Sequence, residues 1–236
     1  MTEIQTFTGF PRAGLRFIED LAANNNRDWF QTHKTDYTAN LLEPAQTLVI
    51  ALGERLKDIA PDIIYDTRTN GAGSLMRIYR DTRFSKDKTP YKRHVDMMFW
   101  EGIGRKIDCP AFGLRISPVE GNGLMTGMHG FPKSMLAAYR DAVVDDDLGP
   151  ELVQAIDSVK SAGDYDIGGE HYKRVPRGFD SEHERANLLR YAALFAYSPQ
   201  IEESVVTSPD LVEVCFEHFR HMAPIHHWLV KVHRRR

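Results

Sequence analysis

Two short stretches, His94-Val-Asp-Met-Met-Phe-Trp100 and Phe112-Gly-Leu-Arg-Ile-Ser117, decide the fold class. Apolar residues take every second position in both stretches: Val95, Met97 and Phe99, then Phe112, Leu114 and Ile116. A period of two is typical of β-strands that bury one face and leave the other to solvent. The alternation therefore predicts two strands of one sheet.

Two further segments on either side of these stretches have the same character. Residues 75–80 and 124–129 are short, partly apolar and bounded by turn-forming residues. The connections between the four segments are too short to hold crossover helices, so we expect antiparallel neighbours. The middle of the chain thus predicts an antiparallel sheet of about four strands.

Helical spacing of apolar residues returns on both sides of the predicted sheet. The predicted helices are 11–23, 26–37, 45–59, 132–144, 148–159, 182–191 and a last one that follows Ser208-Pro209-Asp210, with a kink expected at Pro224. Helices, then a meander, then helices are typical of one α+β domain. We expect a single domain over residues 1–236, its sheet packed against the N- and C-terminal helices.

Composition restricts the class of protein. The chain has 236 residues, of which 42% are hydrophobic and 27% charged, with a formal net charge of −3, which excludes disordered and low-complexity classes. Cys109 and Cys215 are too few for a disulfide framework, which favours a reducing cytoplasm. No secretion signal is visible at the N-terminus, and the longest uncharged, mostly apolar stretch, 191–197, is far shorter than the ~20 residues of a spanning helix. We expect a cytoplasmic protein without a membrane partner.

The segment from Arg77 to Arg93 is the most unusual in charge. It holds seven basic and two acidic residues on a chain that is acidic elsewhere, so it attracts anions locally. Arginine forks suit phosphate and carboxylate groups, and tyrosine hydroxyls add donors. A second basic cluster, residues 173–177, lies on a predicted loop and could face the first.

These clusters lead to the first functional hypothesis, a site for an anionic small molecule that carries phosphate or carboxylate. The candidate ligand-binding residues are Arg77, Tyr79, Arg80, Arg83, Lys86, Lys88, Tyr91, Lys92, Arg115, His129, Lys173, Arg174 and Arg177.

Strand alternation adds a place for the ligand. It assigns one polar face to Arg77, Tyr79, His94, Asp96, Arg115 and His129, together with Gly113 and Gly127. Glycine leaves space above a sheet, so this face could be a ligand floor, or simply the wet side that antiparallel sheets often have. His94 and Asp96 are the candidates for proton transfer if a reaction occurs, and whether the protein is an enzyme stays open.

Two other classes of function remain. In a nucleic-acid or ribonucleoprotein binding module, the same basic residues would contact phosphates while Phe84, Tyr91 or Trp100 stacks on bases, although the net negative charge weighs against this. In a purely structural cluster, Arg77 and Arg83 would be buried in ion pairs with Asp66, Asp81 or Asp87, and no ligand would bind.

Several sharper motifs fail on their spacing. Residues 70–74, Asn-Gly-Ala-Gly-Ser, precede a predicted strand and lack the spacing of a P-loop. Cys215, His218 and His221 are three residues apart and drift across a helix face, so no metal site is predicted. No motif indicates a particular cofactor or an oligomeric state.

Four stretches of the chain carry a family resemblance. They are FIEDLAANNNRDWF at 17–30, GSLMRIYRDTRFSKDKTPYK at 73–92, KRVPRGF at 173–179 and SPDL at 208–211. With these stretches the sequence resembles, over nearly its full length, the family catalogued as domain of unknown function 2461, known from bacteria and fungi. The resemblance implies one domain and brings no activity, cofactor or site residue with it.

Overall fold

Five antiparallel strands form one sheet in the computed structural model, which describes residues 6–235. In chain order they are β1 (Val95–Trp100), β2 (Ala111–Ile116), β3 (Gly123–Met128), β4 (Asp166–Glu170) and β5 (Tyr191–Tyr197). Their order across the sheet is β1-β2-β3-β5-β4, so β1 and β4 are the two edges. The antiparallel sheet is confirmed, with one strand more than the sequence predicts.

Helices precede and follow the first three strands. They are α1 (Arg12–Ala23), α2 (Arg27–Thr32), α3 (Lys34–Tyr37), α4 (Glu43–Leu56), α5 (Lys133–Val144), α6 (Leu148–Ala162), α7 (Glu203–Val206) and α8 (Leu211–Arg235), with a π-turn at Thr38–Leu42 and 3-10 turns at Lys106–Asp108 and Leu188–Arg190. The Asn26 side chain accepts a hydrogen bond from the Trp29 N–H and so begins α2, as Asn does at helix N-termini. Pro224 lies inside α8, which continues through it.

One face of the sheet is buried by α8. Phe112 in the middle of β2 contacts the Phe219 ring at 5.0 Å and stacks on the His226 imidazole at 4.2 Å. Phe99, Leu114 and Leu124 share this face and are 0–2% exposed. Helices α4, α5 and α6 pack around α8. The result is the single α+β domain that the sequence predicts, with its core between α8 and the sheet.

Two predicted elements are wrong. Residues 75–80 form isolated bridges, Leu75 with Met97 and Tyr79 with Tyr91, because Tyr79 pairs within its own hairpin and leaves the edge of β1. Residues 182–191 form turns, since the buried Arg185 side chain donates to the Val143 carbonyl at the end of α5 and holds the segment across that helix. Strands β4 and β5 were not predicted.

None of the helices within residues 6–235 combines the length and the apolar character needed to cross a membrane.

Candidate functional site: a cavity on the open face of the sheet

The face of the sheet opposite α8 carries a cavity of about 660 Å³. Its floor is a cross-strand row in which Met98 lies opposite Gly113, Gly113 opposite Met125, and Met125 opposite Tyr197. Polar side chains from Asp96, Arg115, Glu120, Asn122, His129, Asp166 and Gln200 surround this floor. The methionine thioethers are flexible, and the central glycines have no side chain. Together they leave a hollow with an apolar floor and a polar rim.

The fold requires only one of the three glycines on this floor. Gly127 has φ +125°, and a Cβ there would lie 2.3 Å from the Leu194 carbonyl oxygen of β5. A Cβ at Gly113 would meet nothing closer than 3.6 Å, and one at Gly123 would meet no atom within 4 Å. Glycine in a strand costs stability relative to a residue with a side chain. The backbone therefore does not require glycine at positions 113 and 123, and both glycines leave open space above the floor.

Charged groups form a network at the end of the cavity where β1 begins. His94 lies between two carboxylates, with Nδ1 2.7 Å from Glu120 Oε2 and Nε2 3.1 Å from Asp96 Oδ2. Arg115 on the neighbouring strand donates through Nε to Asp96 Oδ1 at 2.8 Å and through a terminal nitrogen to Oδ2 at 3.3 Å. Arg93 pairs with the other Glu120 oxygen at 3.0 Å. The network fixes His94 and Asp96 in place.

The network keeps both carboxylates ionised. Burial acts to raise the pKa of Asp96, but the hydrogen bonds from His94 and Arg115 outweigh it and hold that pKa well below its usual range. Burial also acts against the charge of Glu120, and the His94 hydrogen bond with the Arg93 and Arg115 charges lowers its pKa overall. Asp96 is thus an ionised acceptor for Arg115 and His94 and has no role left as a proton donor.

A second polar pair lies on the far side of Arg115. Tyr197 Oη is 3.1 Å from His129 Nε2, and the His129 ring also packs on Phe195 at 4.8 Å. Burial and the nearby Arg115 charge lower the pKa of His129, while burial raises the pKa of Tyr197. Imidazole and phenol are both groups that can act in general acid/base chemistry.

The basic hairpin, residues 80–90, is mostly paired with itself. Arg80 pairs with Asp87 at 2.5 Å, and Arg83 pairs with Asp81 at 2.7 Å. The Lys88 ammonium donates to the Thr82 carbonyl at 2.9 Å, and Lys86 is exposed. The Arg83–Asp81 pair that the structural hypothesis expects therefore exists, but with Arg83 77% exposed it is a surface pair rather than a buried one. None of these residues lines the cavity on the open face.

The two tyrosines of the basic segment belong to an aromatic cluster with the N-terminal helices. Tyr91 is 1% exposed and stacks on Phe30 at 4.2 Å, and Tyr79 packs against Tyr91 at 5.3 Å. The Asn25 side-chain amide donates to the Tyr91 carbonyl and accepts from the Tyr91 N–H. Two of the family stretches thus meet here for a structural reason. Of the three aromatic residues proposed for base stacking, Tyr91 and Trp100 are 1% and 9% exposed, whereas Phe84 is 94% exposed.

The expected shared face of Arg77, Tyr79 and Asp96 is wrong. Leu75 pairs with Met97 on the buried face, so Met76 is the residue that reaches the cavity. The Arg77 side chain turns instead over the loop at Gly71, where a Cβ would lie 2.9 Å from Nε. Lys92 lies next to the network, with its ammonium 3.7 Å from Asp96 Oδ2.

The second basic cluster does not come near the first. Residues 173–177 follow β4 at the end of the sheet where Glu170 pairs with Tyr191, and β4 is the edge opposite β1. The basic hairpin precedes the first residue of β1, which lies at the opposite end of the sheet from Glu170. The two clusters therefore lie at diagonal corners of the sheet. Lys173, Arg174 and Arg177 are exposed there, while Val175 and Phe179 pack on the core.

Glu120 and Tyr197 are the main site residues that sequence reasoning missed. Glu120 lies in the β2–β3 turn, and its N–H donates to Ser117 Oγ at 2.9 Å, which directs its side chain back over β1. An acidic turn residue three positions before a strand was the available signal. Tyr197 ends a strand that was not predicted, so no alternation assigned it to a face.

The histidines of α8 serve elsewhere. His218 and His221 both direct Nδ1 at the Tyr165 hydroxyl, at 2.9 and 2.8 Å, and Cys215 is fully buried. No group of three metal-ligating side chains is found within residues 6–235.

Fold and cavity together define a class: a single-domain α+β protein with one sheet face packed by a long helix and the other hollow. Comparison with known families gives a match to the family described as Conserved hypothetical protein (DUF2461), over residues 13–228. The chain belongs to this family. No curated protein and no solved structure gives a significant match.

Proposed function

We propose that the protein binds a small molecule with an anionic group on the open face of its sheet. The observation that carries the proposal is the pair of glycines, Gly113 and Gly123, whose backbones and surroundings would accept a side chain. The space that these two glycines leave above the floor would accommodate a ligand. The cavity volume of about 660 Å³ lies in the usual range for small-molecule sites.

Asp166 adds a carboxylate to the cavity lining, but the charges at the end of the cavity where β1 begins favour an anion. Arg93, Arg115 and Lys92 face the carboxylates of Asp96 and Glu120, so the network holds a net positive charge even when His94 is neutral. Arg115 uses Nε and one terminal nitrogen on Asp96, while its other terminal nitrogen is 3.6 Å from Glu120 and retains donor capacity. Phosphate and carboxylate are the groups that such donors recognise.

Any proton transfer in this cavity belongs to His129 and Tyr197. His94 has both ring nitrogens on carboxylates, and Asp96 has its two oxygens on Arg115 and His94, so neither is available to a ligand. His129 has one nitrogen on Tyr197 Oη, and its lowered pKa favours the neutral base near pH 7. The catalytic candidates therefore move from His94 and Asp96 to this pair.

A thermal-shift screen with phosphorylated and carboxylated small molecules tests the binding. A ligand at 100 times its Kd stabilises the folded state by ~2.7 kcal/mol, which is a measurable rise in Tm. For each hit, methyl spectra of the methionines locate the ligand: we expect shifts at Met98 and Met125 on the floor and none at Met135 and Met222, which are 0% exposed in the core. Hits that leave both floor methyls unmoved, or a screen without hits, would contradict the proposal.

A further inference from the structure

A group of three cations lies beside the cavity, on segments that precede and follow β1. Arg77, Lys92 and Lys106 come from three different segments: the stretch before the basic hairpin, its return arm and the loop after β1. Lys106 was not singled out in the sequence, because it lies thirteen residues beyond the basic segment. Only the fold brings the three together.

Contacts with one loop hold this group in place. The Lys106 ammonium donates to the Gly73 carbonyl, and the Arg77 side chain lies against Gly71 of the same loop. The charges of Lys92 and Arg77 both reach Lys106, since together with burial they lower the pKa of its ammonium. Two like charges within electrostatic range of a half-buried ammonium act against its charged form.

The surrounding carboxylates do not neutralise this group. Asp66 lies near Lys106 but pairs with Arg68 at 2.5 Å, and Asp96 already accepts from Arg115 and His94. Arg77 takes part in no ion pair within the described part of the chain, and Lys92 reaches Asp96 only at 3.7 Å. Positive charge therefore exceeds negative charge at this spot, and a mobile anion would restore the balance.

The group also adjoins the cavity on the open face. Met76 and Ile107 line the cavity, and they are the chain neighbours of Arg77 and Lys106. Asp96, which Lys92 approaches, lines it as well. A ligand on the methionine floor could thus extend a charged end over the edge strand β1 to the three cations.

We propose that Arg77, Lys92 and Lys106 form a subsite for a phosphate dianion, so that the ligand class is phosphate monoesters with an apolar or neutral remainder. The inference rests on the proposed function for the position of that remainder. Three cations match a group with two charges and three acceptor oxygens, whereas a carboxylate would leave the excess charge uncompensated.

Titration of the full-length protein with inorganic phosphate, followed by calorimetry, tests the subsite directly. We expect one saturable site that acetate, a monoanion, does not occupy at the same concentration. Lys106→Met should weaken phosphate binding by about tenfold, the loss of one charge-assisted contact. Arg77→Met, which alters an exposed side chain, should weaken it similarly and covers the case in which the Lys106 variant fails to fold.

Arg83→Met is the matched control, because it removes one positive charge from the exposed, self-paired hairpin. Equal weakening by Arg83→Met and Lys106→Met would mean diffuse surface attraction and would overturn the subsite, as would the absence of saturation. Gly123→Val separates the two proposals. It should leave phosphate affinity unchanged, because it alters only the floor. A saturable phosphate site with no larger ligand that binds the floor would contradict only the proposed function. Ligands that bind the floor independently of Lys106 would contradict only the subsite.

Discussion

The two faces of the sheet are built from the same strands and differ in every second residue. On the face under α8, the side chains are large and buried, with Phe99, Phe112 and Leu124 at 0–1% exposure. On the other face, the equivalent central positions are Gly113 and Gly123, flanked by thioethers and charges. The alternation along the strands thus gives one face that is packed for stability and one open face, where we propose that the ligand binds.

The charges of the molecule follow the same division. Next to the packed face lies a buried contact in which the His226 Nε2–H donates to Glu101 at 3.1 Å. The open face holds a network of pairs that are only partly desolvated. The first kind of contact is costly to disturb, whereas the second can exchange partners with a ligand. Substitutions on the two faces should therefore differ in kind.

The largest expected effect is on the packed face. Phe112→Ala removes a fully buried ring from contact with Phe219 and His226, and we expect a loss of about 3–5 kcal/mol in the free energy of unfolding. Denaturant unfolding measures it. Phe84→Ala, at a side chain that is 94% exposed, is the control and should change stability by less than about 0.5 kcal/mol. Similar losses for the two variants would contradict the assignment of the core.

The next effect divides the glycines of the open face. Gly127→Ala forces a side chain into a backbone with φ +125° and against the Leu194 carbonyl, so we expect a loss of roughly 2 kcal/mol or more. Gly113→Ala should leave stability unchanged or raise it by up to about 1 kcal/mol. Thermal unfolding of the two variants side by side is sufficient. A loss at Gly113 as large as that at Gly127 would mean that the fold itself requires both.

A smaller effect is expected in the charged network. Asp96→Asn removes the negative charge that His94 and Arg115 share. Because Arg115 is 45% exposed, solvent screening reduces the loss to about 1–2 kcal/mol. In a double-mutant cycle with Arg115→Met, the double variant should lose less stability than the two single variants added together, because each single variant already breaks the same contact. Strict additivity would show that the two side chains do not stabilise each other.

The last effect is on the pH dependence of stability, and it concerns the buried histidine of the packed face. Burial lowers the pKa of His226 in the folded protein, so the folded state binds fewer protons than the unfolded chain below about pH 6.5. Its contribution to stability is therefore intact above that pH and decreases as the pH falls. His226→Gln should make stability less dependent on pH between about 5 and 7 while leaving the dependence below pH 4 to the carboxylates. An unchanged slope in that range would contradict a neutral His226.

Sequence reasoning succeeded where the pattern is local. The alternation at 94–100 and 112–117 predicted β1 and β2, and the Asn26 cap predicted the start of α2. It failed where long-range contacts decide. Arg185 holds residues 182–191 to α5 through its side chain, and no periodicity reveals that. Strand β4, with two glycines and few apolar residues, exists because it pairs with β5.

The candidate site was predicted in composition better than in position. His94, Asp96, Arg115 and His129 do meet on the open face, because strand parity is reliable inside a regular sheet. Parity failed at Arg77, where the chain leaves the edge of β1 after one bridge. High charge density also led to the prediction that the hairpin arginines bind the ligand. In the structure they pair instead with carboxylates only a few residues away in the chain.

The central claim is that the hollow above the sheet exists for a ligand, and one paired measurement tests it most directly. Gly123→Val places a side chain over the floor, and Gly130→Val makes the same change at an exposed glycine with equal free space outside the cavity. We expect both variants to fold with Tm values close to that of the unaltered protein, and only Gly123→Val to lose the ligand-induced rise in Tm. An undiminished rise for Gly123→Val, at the same ligand concentration, would contradict the claim.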